Sequence, residues 1–113
     1  MKLLRILVLA ALALTGHIAT AEFKTVERAN EVRLSEFRLP ASLNGIATFK
    51  PCGACNMQTV SVSAETRYRL NDRFVSLPEM RRLLATASDR DRKTVIVMHH
   101  LESDLITQIS VRL

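Results

Sequence analysis

Tryptophan is absent from this 113-residue chain, and glycine (3), proline (3) and cysteine (2) are scarce. Aromatic residues make up only 4% of it. Beyond the first twenty residues the only glycines are Gly45 and Gly53, too far apart to cradle a phosphate or form a Gly-x-Ser-x-Gly nucleophile turn. His-Glu-x-x-His and an Asp-rich calcium loop are missing as well. After Leu14 no apolar run approaches the roughly 20 residues that a membrane-spanning helix needs. Length and composition therefore exclude a multidomain enzyme, a membrane-spanning protein, a coiled coil and a disordered tail.

What is present begins with an address. Lys2 and Arg5 precede the apolar run Ile6–Leu14, and Ala19-Thr20-Ala21 places small residues at the two positions a signal peptidase reads. The run is too short to anchor in a bilayer before Gly16 and His17 interrupt it. No cysteine lies near the cleavage point, so lipid attachment there is not expected. The pattern predicts a bacterial export signal cut after Ala21, and a soluble product in the periplasm or outside the cell. Residues 22–113 then form one small β-rich domain of 92 residues with 14 Lys+Arg against 11 Asp+Glu, net +3. A core of that size is marginal in stability.

Short turn signals divide this domain. Asn44-Gly45 sits between Ala41–Leu43 and Ile46–Phe49, the strongest two-residue hairpin signal. Asn71-Asp72 divides Arg67–Leu70 from Arg73–Leu77, and Glu102-Ser103-Asp104 divides Thr94–Leu101 from Leu105–Leu113. Between turns the residues alternate with the two-residue period of a half-buried strand. Val60, Val62 and Ala64 share one face of such a strand; Ile109, Val111 and Leu113 share one face of another. Thr94–Met98 is a β-branched run suited to burial on both faces. One helix is expected. Ser76-Leu77-Pro78-Glu79 forms a capping box, and Leu77, Met80, Leu83, Leu84 and Ala87 make an apolar stripe ending near Ser88. Asp89–Lys93 follows as a solvated connection. Near the start, Val32/Leu34 and Phe37/Leu39 alternate out of phase by one residue, which predicts a bulged strand, with a short helix over 24–32 as the alternative.

The order strand, strand, long strand, helix, strand, strand predicts a mainly β (α+β) fold: a small five-stranded barrel of the oligonucleotide/oligosaccharide-binding (OB) type, or a curved antiparallel sheet with one helix. Thr66-x-Tyr68, Val75-x-Leu77-x-x-Met80, Val95-x-Val97 and Ile109-x-Val111 resemble the pattern of small exported bacterial OB-like domains of unknown function. That resemblance spans roughly Val60–Leu113 and implies the barrel; it transfers no catalytic residue and no cofactor.

Cys52-Gly53-Ala54-Cys55 holds both cysteines. In an oxidising compartment an i,i+3 pair across a turn is expected to form a disulfide. The sharper alternative is a thiol-disulfide oxidoreductase using Cys52, which requires a helix N-terminus at that thiolate. Thr59, Val60 and Val62 are poor helix formers and favour a strand, although Met57, Val60 and Ala64 would also share a helical face. For a metal, only His99 and His100 could join the cysteines, and adjacent strand residues face opposite sides, so no metal site is expected.

Positive charge is concentrated in residues 67–93, where eight bases meet four acids. Arg67 and Arg69 on one strand face, with Arg73 across the turn, form the candidate anion-binding stripe. Nucleic acid is not expected as a partner, because Tyr68 and the four Phe are assigned to the core and stacking platforms need exposed aromatics. The resulting expectation is a non-catalytic binding or accessory module meeting an anionic envelope polymer or an envelope protein. The alternatives are the oxidoreductase and a structural subunit of an envelope assembly.

Overall fold

The computed structural model describes Gly16 and residues 26–113. The expected signal, Met1–Ala21, lies apart from Gly16 outside the described residues.

The first strand segment, β1 (Glu27–Arg33), runs into a 3-10 turn at Leu34–Glu36 and then β2 (Phe37–Arg38). The one-residue phase change between Val32/Leu34 and Phe37/Leu39 is absorbed by this turn rather than by a bulge. Leu34, Phe37 and Val32 all end up buried. β3 (Ile46–Phe49), β4 (Gln58–Leu70) and β5 (Arg73–Val75) follow, then α1 (Leu77–Ala85), β6 (Thr94–His100) and β7 (Leu105–Val111).

These segments form one curled sheet in the order β1-β6-β7-β4-β3-β2, with β5 paired to β4. All pairings are antiparallel except β4 with β7. The two edges of the path, β1 and β2, are consecutive in the chain, so one bent segment serves both ends of the sheet. That curl, the parallel β4–β7 pair and a helix inserted before β6 are consistent with the mainly β (α+β), OB-like fold expected from the element order. The sheet has seven strands where five were expected, and its ends β1 and β2 do not pair with each other among the described residues.

Inside the curl, cross-strand rows make the core. Val75, Tyr68, Ile109 and Val97 lie opposite one another in successive pairs, as do Leu70, Val111, Val95 and Val32. α1 covers one end of the barrel with Leu77, Met80 and Leu84. Burying each such side chain contributes about 2 kcal/mol. Ser76 caps the helix by accepting from the Glu79 backbone N–H at 3.3 Å, as the capping box requires. The Glu79 carboxylate does not close the box; it meets Arg73 at 3.5 Å instead. The helix stops at Ala85, short of Ser88, where Arg90 Nη1 donates to the Leu84 carbonyl at 2.7 Å and satisfies a terminal acceptor. The Asp89–Lys93 connection folds into a 3-10 turn at Arg90–Arg92 and is tied to the Leu34–Glu36 turn by Leu34 N–H donating to the Lys93 carbonyl at 2.9 Å.

Four local expectations are corrected. Ala41–Leu43 is not a strand, and neither Asn44 nor Gly45 adopts positive φ. Gly45 is small because a Cβ would meet Ser42 Oγ at 3.1 Å within the loop, not because a hairpin turn demands it. The two-residue turn with both φ positive is Asn71-Asp72, at 47° and 67°. Ala64 leaves the core face because β4 buckles between Val62 and Arg67, its register with β7 shifting there. Ile96 is 42% exposed, so β6 is buried on one face only. Leu113 lies past the end of β7 and is exposed.

Candidate functional site

The outer face of the barrel follows from the ladder registers. Directly opposed residues in a sheet point to the same side. Phe74, Arg69, Ser110, Ile96 and Glu31 are successive partners across β5, β4, β7, β6 and β1, so they form one straight row on the outside. A second row beside it contains Arg67, Gln108 and Met98.

Phe74 is 48% exposed, which corrects the assignment of every aromatic to the core; Phe37, Phe49 and Tyr68 are buried. The Arg67 guanidinium lies over the Phe74 ring at 3.8 Å from its centroid, and that of Arg69 at 5.9 Å. Such stacking is worth roughly 0.5–1 kcal/mol at an exposed site and holds a planar cation in a fixed orientation. Arg67 makes no ion pair among the described residues. Arg69 pairs with Asp72 at 3.3 Å, and Arg112 pairs with the same carboxylate at 3.2 Å. Two guanidinium groups thus share one acid, and Arg67 stands beside them without one, leaving local charge positive.

Arg69 has a further peculiarity. Its Nε is buried without a hydrogen-bond partner among the described residues. A buried donor left unsatisfied costs about 1–3 kcal/mol. The groove beside it, about 410 Å³, is bordered by the bases Arg69 and Arg112, the acids Glu31 and Asp72, and Ile96, Gln108 and Ser110 among others. Gln108 Nε2 donates to Ser110 Oγ at 2.9 Å, so the rows carry uncharged hydrogen-bonding groups as well.

Arg73 departs from the stripe. It is the ladder partner of Leu70, which faces inward, and it emerges at the helix side of the molecule against Glu79. Phe74 occupies the outer place given to Arg73 by the sequence reading. Counting back from the Asn71-Asp72 turn would have located it: a two-residue turn pairs Leu70 with Arg73 and hence Arg69 with Phe74.

The buckle in β4 is held by Thr66. Its hydroxyl donates to the Ile106 carbonyl at 2.6 Å and accepts from the Ser63 N–H at 3.0 Å, replacing ladder bonds lost at the register shift. On the exposed crest, the Ser63 hydroxyl and the residue's own backbone N–H hold the Glu65 carboxyl below its ordinary pKa.

Cys52 and Cys55 form a disulfide with Cα atoms 5.0 Å apart, in the turn between β3 and β4. The Cys55 N–H donates to the Cys52 carbonyl at 3.2 Å, and regular structure resumes at Gln58 as a strand. The sulfurs therefore lock a bend, without a helix N-terminus at Cys52. His99 pairs with Asp104 at 2.6 Å, while the His100 ring accepts from the Ser103 N–H at 3.2 Å, both within the β6–β7 hairpin. No group of three or more His, Cys, Asp or Glu suited to a metal ion occurs among the described residues. No helix among them is long and apolar enough to cross a membrane. No protein-family model, curated protein or solved structure matches this chain.

Proposed function

We propose that this chain is an exported, non-catalytic binding module that holds an anionic glycan polymer of the cell envelope on the outer face of its barrel. The observation that carries the reading is the platform of the half-exposed Phe74 flanked by Arg67 and Arg69. A carboxylate, sulfate or phosphate oxygen pairs with the Arg67 guanidinium, which makes no ion pair among the described residues, and a sugar ring packs against the exposed part of Phe74. A glycan fits better than single-stranded nucleic acid, because the latter is held by several aromatics stacking successive bases, and this face offers one.

The Met1–Ala21 signal pattern supports export, and the Cys52–Cys55 disulfide is compatible with an oxidising compartment. Intact mass of the secreted product should begin at Glu22; retention of the first 21 residues would contradict the export reading.

The binding test is titration calorimetry with dextran sulfate against neutral dextran. The sulfated polymer should bind and the neutral one should not, with affinity falling as salt rises. Arg67→Glu and Arg69→Glu should each weaken binding by about tenfold, or ~1.4 kcal/mol. Equal affinity for a single-stranded oligonucleotide would transfer the site to nucleic acid. Salt-insensitive binding, or none, would remove the proposal.

A further inference from the structure

A second, chemically different cavity lies on the other side of the sheet. It opens between the Ala41–Leu43 loop, β5 and the start of α1, and encloses about 620 Å³. Cavities of roughly 300–1,000 Å³ hold small organic ligands. Its walls are mainly apolar, with Leu43, Val75, Leu77 and Pro78 among them. Among the described residues Arg81 is the one charged side chain lining it, and no carboxylate does. Arg81 reaches the Pro40 carbonyl through Nη1 at 2.8 Å, which fixes its guanidinium at the rim.

Tyr68 also lines this cavity, and only 3% of the residue is exposed. Its hydroxyl has no hydrogen-bond partner among the described residues. The other buried hydroxyl of β4, on Thr66, is bonded twice, so β4 does not lack partners in general. An unpartnered phenol destabilises the barrel by about the desolvation penalty of one polar group. Phenylalanine would fill the same space without leaving that oxygen unpaired.

We infer that this cavity is a binding site for a small organic anion with an apolar aryl or short acyl body, whose carboxylate accepts a hydrogen bond from the Tyr68 hydroxyl and faces Arg81. Burial raises the Tyr68 pKa, which keeps the phenol protonated and able to donate. The apolar body replaces water against Leu43, Val75 and Leu77. This site is independent of Arg67, Arg69 and Phe74, which lie on the opposite face of the sheet.

The test is NMR titration of the full chain with 2-naphthoate. Saturable shifts should appear at the methyl groups of Leu43, Val75 and Leu77. Tyr68→Phe should weaken 2-naphthoate by about tenfold, the effect of one hydrogen bond to a charged acceptor, while leaving the melting temperature of the free protein equal or higher. Leu43→Trp, at an exposed position, should occlude the mouth and weaken binding without unfolding the chain. Arg67→Glu and Arg69→Glu should leave 2-naphthoate affinity unchanged, which separates this site from the outer face. Absence of saturable shifts overturns the inference, as does unaltered affinity in Tyr68→Phe. A lower melting temperature in Tyr68→Phe also overturns it, because the hydroxyl would then serve the fold.

Discussion

Two side chains of β4 carry most of the chemistry, and each has an atom out of balance with its surroundings. Tyr68 faces inward and Arg69 outward, one residue apart, and each leaves a buried donor without an acceptor. For Tyr68 the consequence extends to pH. Its pKa is raised by burial, so the folded protein keeps the phenol proton where the unfolded chain releases it. Stability present below about pH 10, the ordinary tyrosine value, should therefore fall as pH rises through the folded value. Urea unfolding between pH 9 and 11 should show that fall, and Tyr68→Phe should flatten it; identical slopes would place the phenol in water. For Phe74 the expected result concerns binding alone. Phe74→Ala should reduce sulfated-glycan affinity by roughly threefold to tenfold, with little change in melting temperature, since the ring is half exposed. Residue identity made Arg67 and Arg69 visible in the sequence, because charge clusters need no fold to be counted. Phe74 was hidden, because an isolated aromatic is assigned to the core until register is known.

Among the elements, helix α1 and the β6–β7 hairpin were the most legible, since their capping box and turn residues act locally. The Cys52–Cys55 clasp is equally local. Closing a four-residue loop restricts the unfolded chain by about 2 kcal/mol on the chain-entropy estimate. The Cys52→Ser/Cys55→Ser variant should lose about that much stability by denaturant titration, while dextran sulfate binding at the distant face stays intact. Loss of binding together with fold would make the clasp a global support. The buckle of β4 was not legible, because Ser63–Thr66 continue the alternation of a regular strand and only the partner β7 imposes the register shift. Thr66 holds that shift through two buried hydrogen bonds. Thr66→Val keeps the volume but leaves a carbonyl and an N–H unpaired, so it should destabilise by about 2–3 kcal/mol; a change below ~0.5 kcal/mol would show that the buckle stands without the hydroxyl.

At the scale of the whole molecule, the strand order of the curled sheet is what assembles the outer face. β4 and β7 are parallel and distant in sequence, and β1 returns to the β6 edge, so the row from Phe74 to Glu31 combines five strands separated along the chain. The element order was sufficient to anticipate an OB-like barrel, whereas the composition of its outer face required every register at once. The same registers remove Arg73 from the stripe. Arg73→Glu should change glycan affinity by less than about threefold at 0.15 M salt, where charges beyond about 8 Å are screened. The most direct measurement is chemical-shift mapping of the isotope-labelled chain with dextran sulfate. Shifts concentrated at Arg67, Arg69, Phe74, Gln108 and Ser110, and reversed by added salt, are the predicted result. Shifts spread evenly over the arginines of α1 and the Arg90–Arg92 turn, with the β4–β5 face unmoved, would contradict it.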